Sequence, residues 1–237
     1  MKRYILIIIC SLSIISSNVY GQGSTLTRDL ESWLSVGAEK SFLDKKLTVD
    51  LQQQFRLDDN TSRLSQFFTA VGADYEVYKN LKFGLGYRFI RDRNGNDGFV
   101  TEHRFNIDAM YSKKINRFKL GGRIRFQKRS NAIYSKYPTT KYRFRLKLKY
   151  NIPKWKFDPF ASTELYYSKE NFMFNGAEDN AISGMQKYRL QIGASRKVWK
   201  GDIKLFYMLE HQFSDYGTNF GIPINWNIIG VNYTFKF

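Results

Sequence analysis

Cysteine is all but missing from these 237 residues: the one present, Cys10, sits inside an apolar run close to the first residue. Removal of that run leaves a chain with no thiol, which excludes disulfides, thiolate metal sites and cysteine nucleophiles together. Ile8 and Ile9 stand before Cys10 where a lipoprotein cleavage site needs small residues, so Cys10 is not read as a lipid anchor. Proline numbers only 4, which favours strands over loops. No heptad or long 3.6-residue period follows residue 25, so no helical bundle is expected. There is no Gly-rich phosphate loop, metal-ligand cluster or paired-carboxylate motif, and neither a cofactor nor a metal is expected.

What is abundant is the aromatic ring. Tyr and Phe number 16 and 20, and 43% of the chain is apolar, too much for disorder and suited to a nearly all-β domain. Lys2 and Arg3 precede an apolar run over residues 5–15, and a polar region ends at Val19, Tyr20 and Gly21. That pattern predicts a secretory signal peptide over 1–21, cleaved before Gln22, and one domain over 22–237. The run is too short for a membrane helix of about 20 residues.

The formal charge is +17; without Lys2 and Arg3, 36 basic stand against 21 acidic side chains, a net +15. A soluble protein so charged would point to nucleic acid or an anionic surface. Export, the lack of zinc ligands, of a recognition helix and of an arginine-rich tail, and the spread of the basic residues along the chain all exclude nucleic acid as a partner.

That spread is ordered. In "KYRFRLKLKY" Lys141, Arg143, Arg145, Lys147 and Lys149 occupy one parity, and Tyr142, Phe144, Leu146, Leu148 and Tyr150 the other. In a strand these parities point to opposite faces. The alternation recurs from Leu47, Leu81, Phe99, Phe118, Tyr188, Ile203 and Ile229, with weaker strands near 30–40, 63–77 and 157–168. Short turns ("LDKK", "YKN", "SKKIN", "NIPK", "KVWKG") alternate with longer polar loops at 91–98, 128–140, 168–186 and 214–223; "DDNTS" is the brief exception.

A soluble sandwich or lipocalin-type barrel would turn the apolar parity inward; an outer-membrane barrel turns it to lipid and encloses the polar one. Strands of about 10 to 12 residues, aromatics at strand ends such as Tyr142 and Tyr150, and the asymmetric turns favour the second. The fold class expected is all-β: an antiparallel up-and-down transmembrane β-barrel, apolar face outward and basic face in the lumen. The last residues, Tyr233, Phe235 and Phe237, resemble the C-terminal assembly signal of bacterial outer-membrane barrels, which implies the barrel-assembly machinery as a partner.

The wording "ESWLSVGAEKSFLDKKLTVDLQQQFRLDDN", "EHRFNIDAMYSKKINRFKLGGRIRFQ" and "KYRFRLKLKYNIPKWKFDPFASTELYY" resembles the domain-of-unknown-function 2490 family over nearly the whole mature chain. The resemblance implies a secreted outer-membrane barrel of a Gram-negative bacterium, and carries no catalytic or ligand residues. Eleven candidate strands conflict with the even number usual in single-chain bacterial barrels. Either residues 22–29 add a strand or 30–40 do not span, so ten and twelve are both admissible.

With the polar parity enclosed, the basic ladder comprises Lys141, Arg143, Arg145, Lys147, Lys149, Arg123, Arg125 and Arg189. Enclosed cations need water or carboxylates. Asp50, Glu102, Asp108, Glu164 and Glu210, with Asp74 and Glu76, have the parity to pair with them. The cationic surplus predicts a narrow anion-preferring pore or a barrel binding small anionic solutes, rather than bulk conduction. A closed lumen whose charges are structural is the alternative, with a surface-binding role. A lipid or ester hydrolase would use His211, beside Glu210 and near Ser214, but neighbours in a strand face opposite ways and no catalytic residue is assigned. His103 lies on an apolar parity. A monomer is expected, with outer-membrane lipid and lipopolysaccharide around it. Lys128, Arg129 and Arg91 are placed to clamp lipopolysaccharide phosphates, and the loop aromatics Tyr134, Tyr137, Phe172, Phe174, Tyr216 and Phe220 to engage a partner or glycan.

Overall fold

Residues that alternate oily and ionic pair most economically with strands that alternate alike, and here the pairing runs on until the sheet meets itself. The computed structural model describes residues 28–93, 98–131, 139–174, 177–213 and 224–237; within these, the side chains of Arg28, Asn131, residues 170–182 and Ile224 are outside the description. The expected signal peptide with Cys10, and Tyr134, Tyr137, Ser214, Tyr216 and Phe220, lie outside the described residues. So do the side chains of Phe172 and Phe174.

The described residues form eleven strands: β1 (Arg28–Phe42), β2 (Leu47–Asp58), β3 (Arg63–Tyr78), β4 (Leu81–Arg93), β5 (Phe99–Ile115), β6 (Phe118–Asn131), β7 (Thr139–Tyr150), β8 (Asp158–Phe174), β9 (Ala177–Val198), β10 (Gly201–Gln212) and β11 (Ile224–Lys236). Each pairs with its chain neighbours antiparallel, and β1 closes on β11. The all-β barrel is the fold read from the alternation. Its strand number falls between the two values admitted, and the closing ladder departs from a purely antiparallel meander. With an odd number, first and last strands run the same way, so the seam from Arg28 opposite Asn225 to Glu39 opposite Lys236 is parallel. Arg28 and Phe237 consequently sit at opposite ends of the barrel.

One end carries the short turns. Asn80 and Asn116 take left-handed backbone there (φ 71° and 52°), a conformation Asn tolerates better than most residues. The stretch 168–186, expected as a loop, is instead mostly strand in β8 and β9, with register shifts at Tyr166/Tyr167 and Phe172/Phe174. Its Gly, Ala and Asn residues blur the apolar alternation, but a backbone ladder needs only N–H and C=O groups.

The oily parity looks outward. Leu146 is 61% exposed and Leu85 65%, whereas Arg143 is 9% exposed. Exposed Leu34, Leu51, Val71, Leu85, Ile107, Ile124, Leu146, Leu190 and Leu205 continue an aliphatic belt around the strands. Aromatic pairs flank it on both sides. Toward the turn end lie Phe118 with Tyr150 (4.7 Å between ring centroids) and Trp199 with Phe235 (6.1 Å). Toward the loop end lie Phe67 with Phe99 (5.3 Å), Tyr87 with Phe105 (4.9 Å) and Phe126 with Tyr142 (5.5 Å).

Not everything inside is polar. Trp33, Phe68, Ile90, Phe160, Tyr166, Met208 and Ile228 are buried within the barrel. Trp33, Met208 and Ile228 form one cluster with Phe206 and Trp226 against the seam. Glycine makes that packing possible: a Cβ on Gly230 would lie 2.1 Å from the Phe206 ring, and one on Gly193 2.6 Å from the Phe160 ring. The glycines are therefore seats for inward-facing rings.

Candidate functional site

Pairing two alternating strands in register sets cation against cation across the lumen wall. Arg88 faces Arg104, Arg104 faces Arg129, Arg125 faces Arg143, and Arg123 faces Arg145. Like charges directly opposite each other are destabilising, so each such pair needs an acid from elsewhere. Part of the lumen supplies it. The Glu164 carboxylate accepts from Arg123 Nη2 at 2.7 Å, Arg143 Nη2 at 2.9 Å and the Tyr166 hydroxyl at 2.8 Å. Glu210 accepts from Lys187 Nζ at 2.6 Å and from Arg189, which also donates to the Tyr166 hydroxyl. Arg125 grips Asp108 with two bonds of 2.6 Å, and Arg129 bonds to Glu102 and, at 3.3 Å, to Asp92. Such forked pairs are among the strongest charge-assisted bonds and hold neighbouring strands in fixed register.

A second group of cations has no such partner. Among the described residues Arg56, Arg88, Arg104 and Arg145 make no ion pair. Arg56 lies over the Trp33 ring at 3.9 Å and Arg88 over the Phe68 ring at 3.7 Å, with Arg56 also 5.4 Å from Phe68. A ring face stabilises a desolvated guanidinium but leaves its N–H edge without an acceptor. The buried Nε atoms of Arg56 and Arg104 have no hydrogen-bond partner. Lys204 lies over Phe160 and Phe206 (4.9 and 5.0 Å), and Lys147 over Phe160 at 4.6 Å, again without a carboxylate. Arg56, Arg88, Arg104, Arg145 and Lys204 all face one cavity of about 590 Å³ in the lumen, which Gly72 and Gly86 also line. That is room for a small solute with water around it.

Of the residues singled out from the sequence, Lys141, Arg143, Arg145, Arg123, Arg125 and Arg189 line this cavity, as do Asp50, Asp108 and Glu164. Lys141 donates to Gln186 at 2.8 Å. Lys147 and Lys149 lie farther along β7 toward the turn end, outside the lining, and Lys149 pairs with Asp158 at 3.0 Å. Glu102 and Glu210 are buried in the ion pairs already named. Asp158 and Asp92 were not foreseen as partners; Arg56, Arg88 and Arg104, the cations without acids, were not singled out either. Their parity was visible, but whether an acid reaches them depends on strands far apart in sequence.

The terminal aromatics, the two histidines, Arg91 and Lys128 sit on the outer face, whereas Arg129, expected with Arg91 and Lys128 at the lipopolysaccharide, lines the lumen because it shares the inward parity of Arg125. Tyr233 and Phe235 meet edge to face at 4.6 Å, Phe237 is exposed, and its N–H donates to the Glu39 carbonyl at 3.0 Å. His103 Nδ1 bonds to the Tyr87 hydroxyl at 2.7 Å, and His211 Nδ1 to the Asn225 amide oxygen at 2.6 Å, each beside outer aromatics. Glu210 points inward to Lys187 and Arg189, so it and His211 share no site. Lys128 is exposed near the loop end, Arg91 donates to Thr101 at 2.7 Å, and Arg129 is held by its acids.

The sequence model of one family, described as a protein of unknown function (DUF2490), matches residues 30–221. No curated protein and no solved structure matches the chain.

Proposed function

Because the chain belongs to the DUF2490 family, a description that assigns no activity, we propose a function from the barrel itself: it spans an outer membrane and passes or holds small anions in its lumen. A continuous exposed apolar belt between two rows of aromatic rings is what hydrocarbon flanked by two polar interfaces rewards. Exposed apolar surface on that scale has no stable place in water. The terminal Tyr233, Phe235 and Phe237 are on the outer face, where the barrel-assembly machinery would read them, and exposed Lys128 is positioned for lipopolysaccharide phosphate.

The observation that carries the reading is the set of lumenal cations without carboxylates, Arg56, Arg88, Arg104, Arg145 and Lys204, around one cavity. Enclosed positive charge that the protein does not neutralise lowers the energy of an anion entering and raises that of a cation. Purified protein in a planar bilayer under a KCl gradient should give small conductance steps with a reversal potential displaced toward the chloride limit. Replacing Arg56 and Arg145 by Glu should move it toward the potassium limit. A native reversal potential on the potassium side would overturn the proposal.

A further inference from the structure

Resting on that reading, we infer that Arg56, Arg88 and Arg104 form a discrete seat for one small multivalent oxyanion, a molecule bearing at least two phosphate or carboxylate groups. The argument begins with register. Arg88 and Arg104 are direct partners across the β4–β5 ladder, where side chains stand about 5 Å apart at Cβ. In every other opposed arginine pair of this lumen at least one member is bonded to an acid: Arg129 to Glu102, Arg125 to Asp108, Arg143 and Arg123 to Glu164. Arg88 with Arg104 is the pair among the described residues in which neither member is.

Geometry then fixes what is on offer. Phe68, only 1% exposed, sits beneath Arg88 and beside Arg56, so one rigid ring positions two guanidinium groups by their faces. Trp33 supports Arg56 from the other strand. Rings support Arg56 and Arg88, and none of the three guanidinium groups meets a carboxylate, so each keeps donors with which a guanidinium forks onto an oxyanion. The buried Nε of Arg56 and of Arg104 lack acceptors, as do those of Arg123 and Arg143, but Arg123 and Arg143 are bonded to Glu164 whereas Arg56 and Arg104 are bonded to no acid. Gly86, two residues before Arg88 on the same face of β4, makes room for the Asn106 side chain, whose amide lines the cavity beside the pair. Three forks converging on one volume favour several oxyanion groups on one molecule over a single monovalent ion, because each added group gains a fork without a second loss of translational freedom.

The test is titration calorimetry on the detergent-solubilised full chain with inorganic pyrophosphate and with citrate, at constant ionic strength, against sodium acetate as the monovalent reference. One site per barrel should saturate with pyrophosphate, citrate or both, and acetate should not compete at equal concentration. Saturation by pyrophosphate alone assigns the seat to phosphates, by citrate alone to carboxylates. Arg88→Gln with Arg104→Gln should weaken binding about tenfold or more, the loss expected for charged hydrogen bonds. Arg63→Gln, at the exposed rim, should leave it unchanged. Should the double variant not fold by circular dichroism, Arg104→Lys keeps the charge, loses the fork, and should still weaken binding several-fold. Absence of saturation with both probes, acetate binding equally well, or affinity unmoved by these variants would overturn the seat. Those outcomes are independent of the reversal potential: an anion-selective barrel without saturable binding removes the seat and leaves the wider proposal, whereas potassium selectivity removes the wider proposal.

Discussion

Two walls of the same lumen treat the same side chain differently. On the wall from β6 to β10, Glu164 and Glu210 between them hold Arg123, Arg143, Lys187 and Arg189, and the Tyr166 hydroxyl links the two carboxylates' networks. On the wall from β2 to β5, Arg56 and Arg88 rest on Trp33 and Phe68, and Arg104 has no acid. Acids exist on that second wall too, but Asp92, Glu102 and Asp108 are turned to Arg129 and Arg125 of β6, and Asp50 and Asp74 lie toward the turn end, folded over Gly72 and Gly84. The difference separates two uses of charge. A guanidinium tied to carboxylates is a brace between strands; one carried on a ring is held in place with its donors still available.

Breaking the brace should cost most. Glu164→Ala leaves Arg123 and Arg143 as uncompensated buried charges, a loss of about 3–5 kcal/mol in the usual range for one partner of a buried pair. The thermal midpoint in detergent, followed by circular dichroism, should fall clearly; an unchanged midpoint would mean that the network braces nothing. The ring-supported wall should respond far less. Arg88→Gln removes one member of an opposed like-charged pair and no ion pair, so its midpoint should correspond to a change under about 1 kcal/mol in either direction. A loss from Arg88→Gln as large as that from Glu164→Ala would erase the distinction between the walls.

How much of this was legible in the sequence divides along the same line. The five cations and five oily residues of 141–150 fix their faces by parity alone, since nothing but an extended strand separates them so cleanly. Trp33, Phe68, Met208 and Ile228 could not be placed inside by type, because the outer face uses the same kinds of residue, and Phe206 and Met208 showed only as breaks in an alternation. Partnership was less legible still. Arg123 and Glu164 are 41 residues apart, Arg129 and Asp92 37, and which acid meets which arginine depends on shear between strands that no local pattern encodes. The parallel seam is of this kind as well: turn chemistry reports each hairpin but says nothing of how the last strand meets the first.

The central claim is the inversion, oily side chains to hydrocarbon and ionic ones enclosed, and two adjacent residues of β7 test it. With Cys10 replaced by Ser, Leu146→Cys and Arg145→Cys would each carry a small fluorophore in the protein reconstituted into vesicles, and quenching by lipids bearing a nitroxide on the acyl chain would be measured. The label at 146 should be strongly quenched and the label at 145 scarcely, with aqueous iodide reaching the latter instead. Strong lipid quenching at 145, with 146 protected, would contradict the account.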